Sequence, residues 1–169
     1  MKLHIGGESF NDEWKILNVQ SNVHVDFLGS IENLNDFKTE QFEEIYASHV
    51  FEHVKQRDVP STLNGIFRIL KTGGRFYISV PDMDVLCEHY LDKNLTQEQR
   101  WHVMRMIFGG QTDAFDFHFV GWNQESLATI LKNVGFSSVD RVQLFGLFRD
   151  ASSFAPYGRL ISLNMIAVK

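Results

Sequence analysis

Apolar and polar positions follow two different periods along the chain. Short runs rich in β-branched and aromatic residues predict strands. The runs are KLHI (2–5), WKILNV (14–19), HVDFLG (24–29), FEEIYA (42–47), RFYISV (75–80), VDRVQLF (139–145) and LISLNMIAV (160–168). Apolar residues spaced three and four apart predict helices that cover, with their caps, residues 58–73, 84–92, 96–109 and 123–135.

Capping residues set the expected ends of these helices. Asp58 and Pro60 suit the first turn of one helix, which Gly73 or Gly74 would end. Thr96 with Gln99 three residues later predicts a capping box. Helices with such signals are expected to begin and end sharply.

The order of the elements predicts the fold class. Strands come first and then alternate with helices, and two strands close the chain, so we expect an α/β domain. Its mostly parallel sheet would be covered by helices and end in an antiparallel pair. Only nine residues, 6–14, separate the first two strands, which is too short for an ordinary crossover helix, so that helix is short or missing. No linker or repeat interrupts the chain, which predicts one domain over 1–169.

Composition excludes several classes of protein. The net charge of -5 argues against a general nucleic-acid binder. We find neither an apolar run long enough to span a membrane nor a secretory signal, so we expect a cytoplasmic protein without a membrane partner. A single cysteine, Cys87, excludes an internal disulfide and a cysteine zinc cluster. The many aromatic residues leave a homodimer open.

The stretch YASHVFEHV (46–54) contains His-x-x-Glu-His at His49, Glu52 and His53. That spacing is also found in inverted zinc peptidases, where both histidines bind metal from a long helix. Here the motif follows a strand directly and leads into a new helix start. We therefore expect no metal site, and a zinc hydrolase using these three residues is kept as the alternative interpretation.

Several stretches carry a resemblance to a known family: LHIGG (3–7), EWKILNV (13–19), IYASHVFEH (45–53), IFRILKTGGRFYISVPD (66–82) and HFVGWNQESLATILKNVGF (118–136). With these the chain resembles the compact, type 11-like branch of the class I S-adenosyl-L-methionine (SAM)-dependent methyltransferases. The resemblance implies a Rossmann-like, doubly wound sheet of seven strands with the last strand antiparallel. It also implies SAM as the cofactor. A nicotinamide dehydrogenase is disfavoured because G-x-G-x-x-G is absent.

The resemblance assigns the cofactor site to the turns after the first four strands, where open α/β sheets bind ligands. The first glycine turn would approach the methionine part of SAM, the end of the second strand the ribose, the third turn the adenine and the fourth turn the sulfonium. The candidate residues are Gly6, Gly7, Asn18, Gly29, Ser30, Ile31, Ala47, Ser48 and His49. Asn18 stands where the family usually has Asp, and the glycine turn is contracted.

Candidate catalytic residues follow later strands. The aromatic segment 109–123 carries Asp113, Asp116 and His118, and a histidine near neutrality can accept a proton from a hydroxyl or amine. We predict His118 as that base. Asp82 follows the strand at 75–80, where it would either face the acceptor or cap the next helix.

These features predict a SAM-dependent methyltransferase that acts on a small-molecule or glycan-type acceptor. The alternative is a non-catalytic binding protein of the same fold, favoured by the contracted glycine turn and by Asn18.

Overall fold

The computed structural model describes residues 1–169. Seven strands form one sheet: β1 (Lys2–Ile5), β2 (Trp14–Asn18), β3 (Phe27–Leu28), β4 (Phe42–Ser48), β5 (Leu70–Pro81), β6 (Ser138–Val142) and β7 (Ser162–Val168). Four helices accompany it: α1 (Val59–Ile69), α2 (Met83–Leu91), α3 (Gln97–Phe108) and α4 (Gln124–Val134).

The strand order across the sheet is β3-β2-β1-β4-β5-β7-β6. Pairs among the first five strands are parallel, whereas β7 runs antiparallel to both of its neighbours, β5 and β6. The predicted Rossmann-like sheet with an antiparallel last strand is thereby confirmed. The order reverses between β1 and β4, which places a ligand-binding crevice beside the carboxyl ends of these two strands.

The amino-terminal half of the sheet is built almost without helices. Residues 6–13 join β1 to β2 with no helix, as the length of this connection predicted. The connections from β2 to β3 and from β3 to β4 also contain only turns and bends. Because these strands are parallel, each of these loops returns from the carboxyl end of one strand to the amino end of the next, and its first residues form a turn at the carboxyl edge of the sheet.

The two faces of the sheet are packed differently. Leu3, Ile5, Ile45 and Ala47 point to one face and join the main core, which includes apolar residues of α1 and α4. The intervening Tyr46 points to the opposite face. There it packs with Trp14, Tyr77, Phe145 and Phe148, so the loop between β6 and β7 covers that part of the sheet.

Several predicted ends differ from the structure. Helix α1 ends at Ile69, four residues before Gly73, because Leu70 is already extended and begins β5. Asp58 precedes α1 but its side chain makes no cap hydrogen bond. By contrast, the capping box of Thr96 and Gln99 is present. The strand predicted at 24–29 is reduced to Phe27–Leu28, which forms one edge of the sheet.

The longest helix of the fold, α3, has only 12 residues, and no helix combines the length and the apolar character that a membrane span requires.

Candidate functional site

A cavity of about 550 Å³ opens at the carboxyl ends of β1, β2 and β4. Its volume falls within the range of small-molecule pockets, which is about 300–1,000 Å³. Four of its walls are the turns that follow these three strands and β3, and the fifth is the segment 109–123. The lining comprises Ile5, Gly6, Glu8, Leu17, Asn18, Val19, Gln20, Gly29, Ser30, Ile31, Glu32, Ser48, His49, Val50, His53, Val54, Lys55, Ala114, Phe115 and Phe119.

Gly6 shapes the first wall of the cavity. Its backbone φ is +81°, and a Cβ there would lie 2.4 Å from Cγ2 of Val50. Both constraints favour glycine, because other residues rarely adopt this conformation and the space is filled by Val50. The turn after β1 therefore brings backbone close to the turn after β4.

Asn18 holds the second wall in place. Its side-chain Nδ2 donates a hydrogen bond to the Gly7 carbonyl at 3.0 Å, and its Oδ1 accepts one from the Gln20 amide at 2.9 Å. An Asn side chain has a further N–H and a further lone pair. Asn18 thus ties the turn after β2 to the turn after β1 and keeps one donor and one acceptor for a ligand.

His49 lines the cavity and has an unusual, left-handed backbone conformation. Its φ is +52°, a conformation that costs a non-glycine residue about 1–3 kcal/mol and that clusters at functional sites. The ring Nε2 lies 2.8 Å from the Ser162 Oγ, and that hydroxyl donates to the Ala151 carbonyl. Because the serine proton is used in this way, the His49 Nε2 is the donor of the first bond.

Glu52 is the most unusual charged residue of the site. Its side chain is only 1% exposed, and neither carboxylate oxygen has a hydrogen-bond partner. Three histidines surround it: the His49 Nδ1 lies 3.3 Å from Oε1 without hydrogen-bond geometry, the His118 Nε2 lies 4.0 Å from the same oxygen, and His53 is the adjacent residue. The single helical turn of Phe51–His53 brings the carboxylate into this group.

The segment 109–123 completes the group by folding back over the turn that carries His53. The His53 Nδ1 makes a 3.0 Å hydrogen bond with the Phe117 carbonyl, and the Phe119 amide donates to the Glu52 carbonyl at 2.8 Å. The rings of His53 and His118 lie edge to face with centroids 4.8 Å apart. Side chains that are 65 positions apart in the sequence thus meet beside the cavity, which His53 lines and His118 does not.

Electrostatics hold this group in defined protonation states. Burial lowers the pKa of His118, and the charges of His53 and His49 lower it further, although Glu52 opposes them. Burial raises the pKa of Glu52, but the approach of His49 and the attraction of the three histidines in their protonated forms outweigh burial and leave that pKa below its ordinary value. The arrangement therefore pairs a neutral His118 with an ionised Glu52 near pH 7.

A family model described as a methyltransferase domain matches residues 7–140 of the chain. The chain belongs to this methyltransferase family. The match contains the cavity turns after β2, β3 and β4 as well as the segment with His118. The expectation of a SAM-dependent methyltransferase of class I, with SAM as its cofactor, is thereby confirmed.

Solved structures share the methyltransferase fold. A SAM-dependent methyltransferase from Thermotoga maritima superposes with a TM-score of 0.64 at 17% identity, covering 99% of this chain and 81% of the other. The 1,6-didemethyltoxoflavin-N1-methyltransferase from Burkholderia thailandensis, solved with its substrate and S-adenosylhomocysteine, gives 0.60 at 14% identity, covering 99% and 70%. No curated protein matches the chain.

The methyltransferase brings together most of the residues predicted for the cofactor. Gly6, Asn18, Gly29, Ser30, Ile31, Ser48 and His49 all line the cavity. Gly7 and Ala47 do not line it. A Cβ on Gly7 would lie 2.8 Å from Nδ1 of the His4 ring, so this glycine accommodates His4, and Ala47 is fully buried in the main core. Contact of the seven lining residues with SAM stays a prediction.

Of the predicted acceptor-side residues, only His118 belongs to the group around Glu52. Asp82 instead caps α2, because its Oδ1 accepts from the Asp84 amide at 3.2 Å and its Oδ2 from the Arg141 guanidinium at 2.7 Å. Asp116 accepts hydrogen bonds from the Gly110 and Thr112 amides and closes a local turn.

The structure does not have the geometry of an inverted zinc peptidase. His49 precedes the short helical turn and is bound to Ser162, so His49 and His53 do not share the face of a long helix.

The sequence did not predict some of the lining residues that lie next to predicted ones. Gln20 and Glu32 follow Asn18 and Ile31 closely, and a wider window at each strand end would have found them.

Proposed function

We propose that this methyltransferase transfers the methyl group of SAM to an oxygen or nitrogen atom of a small-molecule or glycan-type acceptor. The observation that carries the proposal is the neutral His118 beside the ionised Glu52, directly behind the part of the cavity lining that His49 and His53 form. A polar group of this kind suits an acceptor that must lose a proton.

The cavity residues support cofactor binding at the strand tips. The turn at Gly6 exposes backbone without a Cβ, Asn18 has a free donor and a free acceptor, and Ser48 and His49 form the wall after β4. Glu32, in the turn after β3, adds a carboxylate to the lining. When bound, SAM supplies an activated methyl group on a positively charged sulfonium.

The proposed proton acceptor is the imidazole of His118, which does not itself line the cavity and would be reached beside the lining residue His53. Its Nε2 lies 4.0 Å from the Glu52 carboxylate, so an imidazolium formed at His118 is stabilised by attraction in a buried environment. The main contribution of the remaining residues is to position the acceptor.

The cavity wall opposite the strand tips indicates which kind of acceptor would fit. Ala114, Phe115 and Phe119 line the cavity, and both aromatic rings are partly exposed. Exposed rings of this kind can stack against flat rings or against the apolar face of a sugar. The net charge of -5 disfavours a highly anionic acceptor.

Calorimetry with SAM and with S-adenosylhomocysteine tests cofactor binding first. We expect both to bind to the wild type and to the His118→Asn variant with similar affinity, since His118 lies outside the predicted cofactor contacts. Absence of heat at millimolar ligand would instead support the non-catalytic interpretation.

Methyl transfer to panels of phenolic, amine and sugar acceptors then tests the reaction. We expect His118→Asn to lower kcat by about 100-fold or more, the usual contribution of a general base. The matched control is His24→Asn, because His24 is exposed and outside the cavity. Unchanged turnover in His118→Asn would remove His118 from the mechanism.

A further inference from the structure

We infer that Glu52, His53 and His118 form a binding site for one divalent transition-metal ion, with Zn²⁺ as the best fit. One ligand atom from each of the three lies within 4.8 Å of the other two. As a binding site this group does not depend on methyl transfer, whereas its part in catalysis rests on the proposed function.

The carboxylate of Glu52 gives the first argument for a cation. A buried carboxylate without hydrogen bonds is costly unless a cation or donor compensates it. The His49 Nε2 is engaged with Ser162, and its Nδ1 lies 3.3 Å from Glu52 Oε1 without making a hydrogen bond to it. Both oxygens of Glu52 thus lack a hydrogen-bond donor, and ligand atoms of Glu52, His53 and His118 lie within 4.8 Å of one another.

The hydrogen bond of His53 gives an independent argument. The Phe117 carbonyl can only accept, so Nδ1 of His53 carries the proton and Nε2 keeps its lone pair. Histidines that bind metal commonly donate their other ring N–H to a backbone carbonyl in this manner, which fixes the tautomer. The backbone carbonyl therefore fixes His53 in the tautomer whose Nε2 can bind a metal.

The set of donors indicates which metal fits. Two imidazole nitrogens and one carboxylate oxygen are the ligands of open zinc sites and of the three-ligand iron sites, whereas Mg²⁺ prefers oxygen ligands and water. Ligand atoms of a tetrahedral zinc lie roughly 3.3 Å apart, given bonds of about 2.0–2.1 Å. The separations among the three ligand atoms shorten to that value if each atom moves toward the metal by less than about 1 Å.

The position of the site gives the ion a role. Of the three ligands only His53 lines the cavity, so a metal held by this group would lie beside the cavity wall. If an acceptor oxygen or nitrogen reached the metal there, the metal would lower the pKa of a hydroxyl, whose proton would pass to water. In the metal-bound protein this effect replaces proton acceptance by His118, and it selects acceptors that can coordinate a metal.

Calorimetric titration with ZnCl₂ tests the site. The experiment uses the Cys87→Ser background, because Cys87 is an exposed free thiol and thiolates are zinc ligands, and the protein is first stripped with EDTA and dialysed. We expect one Zn²⁺ per chain, no heat with MgCl₂, and visible absorption bands when Co²⁺ replaces Zn²⁺. Titration of the stripped protein with SAM is a separate measurement, so failure of metal binding and failure of the proposed function are told apart.

The variants decide between a built site and adventitious binding. We expect Glu52→Gln and His118→Asn to weaken Zn²⁺ binding by more than about 100-fold, beyond the loss that supporting residues cause. His24→Asn is the matched control and should bind Zn²⁺ as the parent does. Equal Zn²⁺ affinity in the parent and in His118→Asn, or no binding at all, would overturn the inference. If Glu52→Gln fails to fold by circular dichroism, His118→Asn decides, because His118 lies on a surface segment.

Discussion

Gly6 and His49 show how single residues shape the cofactor end of the cavity. Both adopt left-handed backbone conformations, Gly6 after β1 and His49 after β4. Gly6 relieves the strain by having no side chain, whereas His49 is held by hydrogen bonds of its backbone N–H to Ser79 and of its ring to Ser162. The two bends place backbone and imidazole on opposite sides of the same crevice.

Substituting Gly6 should therefore be costly. We expect Gly6→Ala to lower the free energy of unfolding by roughly 2 kcal/mol or more, since strain at φ +81° adds to the clash with Val50. Gly146→Ala is the matched control, because Gly146 has φ +70° but no atom within 4 Å, and it should lose only about 1 kcal/mol. Urea denaturation measures both, and equal losses would show that Val50 does not matter.

Individual elements of the fold are tied together by a few buried polar groups. Asp82 joins the end of β5 to the start of α2 and to Arg141 on β6. Tyr46 on β4 donates a 2.8 Å hydrogen bond to Asp150 and so fastens the loop between β6 and β7 to the sheet. These groups act on stability, and each can be separated from catalysis by substitution.

Asp82→Ala should lower the free energy of unfolding by about 2 kcal/mol, from the lost helix cap and the lost partner of Arg141. Asp82→Asn keeps an acceptor for the cap and should lose less. Asp84→Ala is the control, because Asp84 is exposed and should change stability by under about 0.5 kcal/mol. The rate of methyl transfer per folded molecule should be preserved in Asp82→Ala. If a fully folded Asp82→Ala variant lost methyl transfer, Asp82 would be a catalytic residue.

Tyr46→Phe removes one hydroxyl and leaves Asp150 with one donor fewer. Because Tyr46 is fully buried, we expect a loss of about 1–3 kcal/mol in the free energy of unfolding. Tyr77→Phe is the comparison: its hydroxyl donates to Glu44 at a more open position, so the loss should stay below about 1 kcal/mol. Thermal denaturation of both variants checks the difference, which would vanish if the loop were held by aromatic packing alone.

Local signals in the sequence predicted much of this architecture. The strand runs, the missing first crossover helix and the capping box of Thr96 and Gln99 each depend on neighbouring residues, and the structure agrees with these predictions. Asp58 fails as a cap because its own backbone is helical, with φ −97° and ψ −7°. The group of Glu52, His53 and His118 escaped prediction because it depends on where segment 109–123 folds back, and no periodicity encodes that contact.

At the scale of the whole molecule, the stability of the fold depends on keeping His4 neutral. Its ring lies between Tyr46 and Phe148, and its Nδ1 has no hydrogen-bond partner. Burial lowers the pKa of His4 to about 4, although Asp150 opposes this effect. An unfolded histidine takes up its proton near pH 6.5, so the unfolded state binds more protons between these two values.

The free energy of unfolding should therefore be highest above about pH 6.5 and fall as the pH decreases toward about 4, by up to about 3 kcal/mol from His4. His4→Leu removes the titration but keeps an apolar side chain, so its decline over this range should be smaller. Urea denaturation at several pH values gives both curves. Parallel curves for the wild type and His4→Leu would refute the role of His4.

The two-residue strand β3 has a consequence for how the protein meets other copies of itself. At one edge of the sheet, β3 leaves only a few backbone N–H and C=O groups without a partner strand. At the other edge, β6 presents the charged pair Asp140 and Arg141. Neither border provides a long flat template for a foreign chain. We therefore expect the molecule to resist fibre-like growth by lateral strand addition, and any self-association to proceed through its helical or aromatic surfaces.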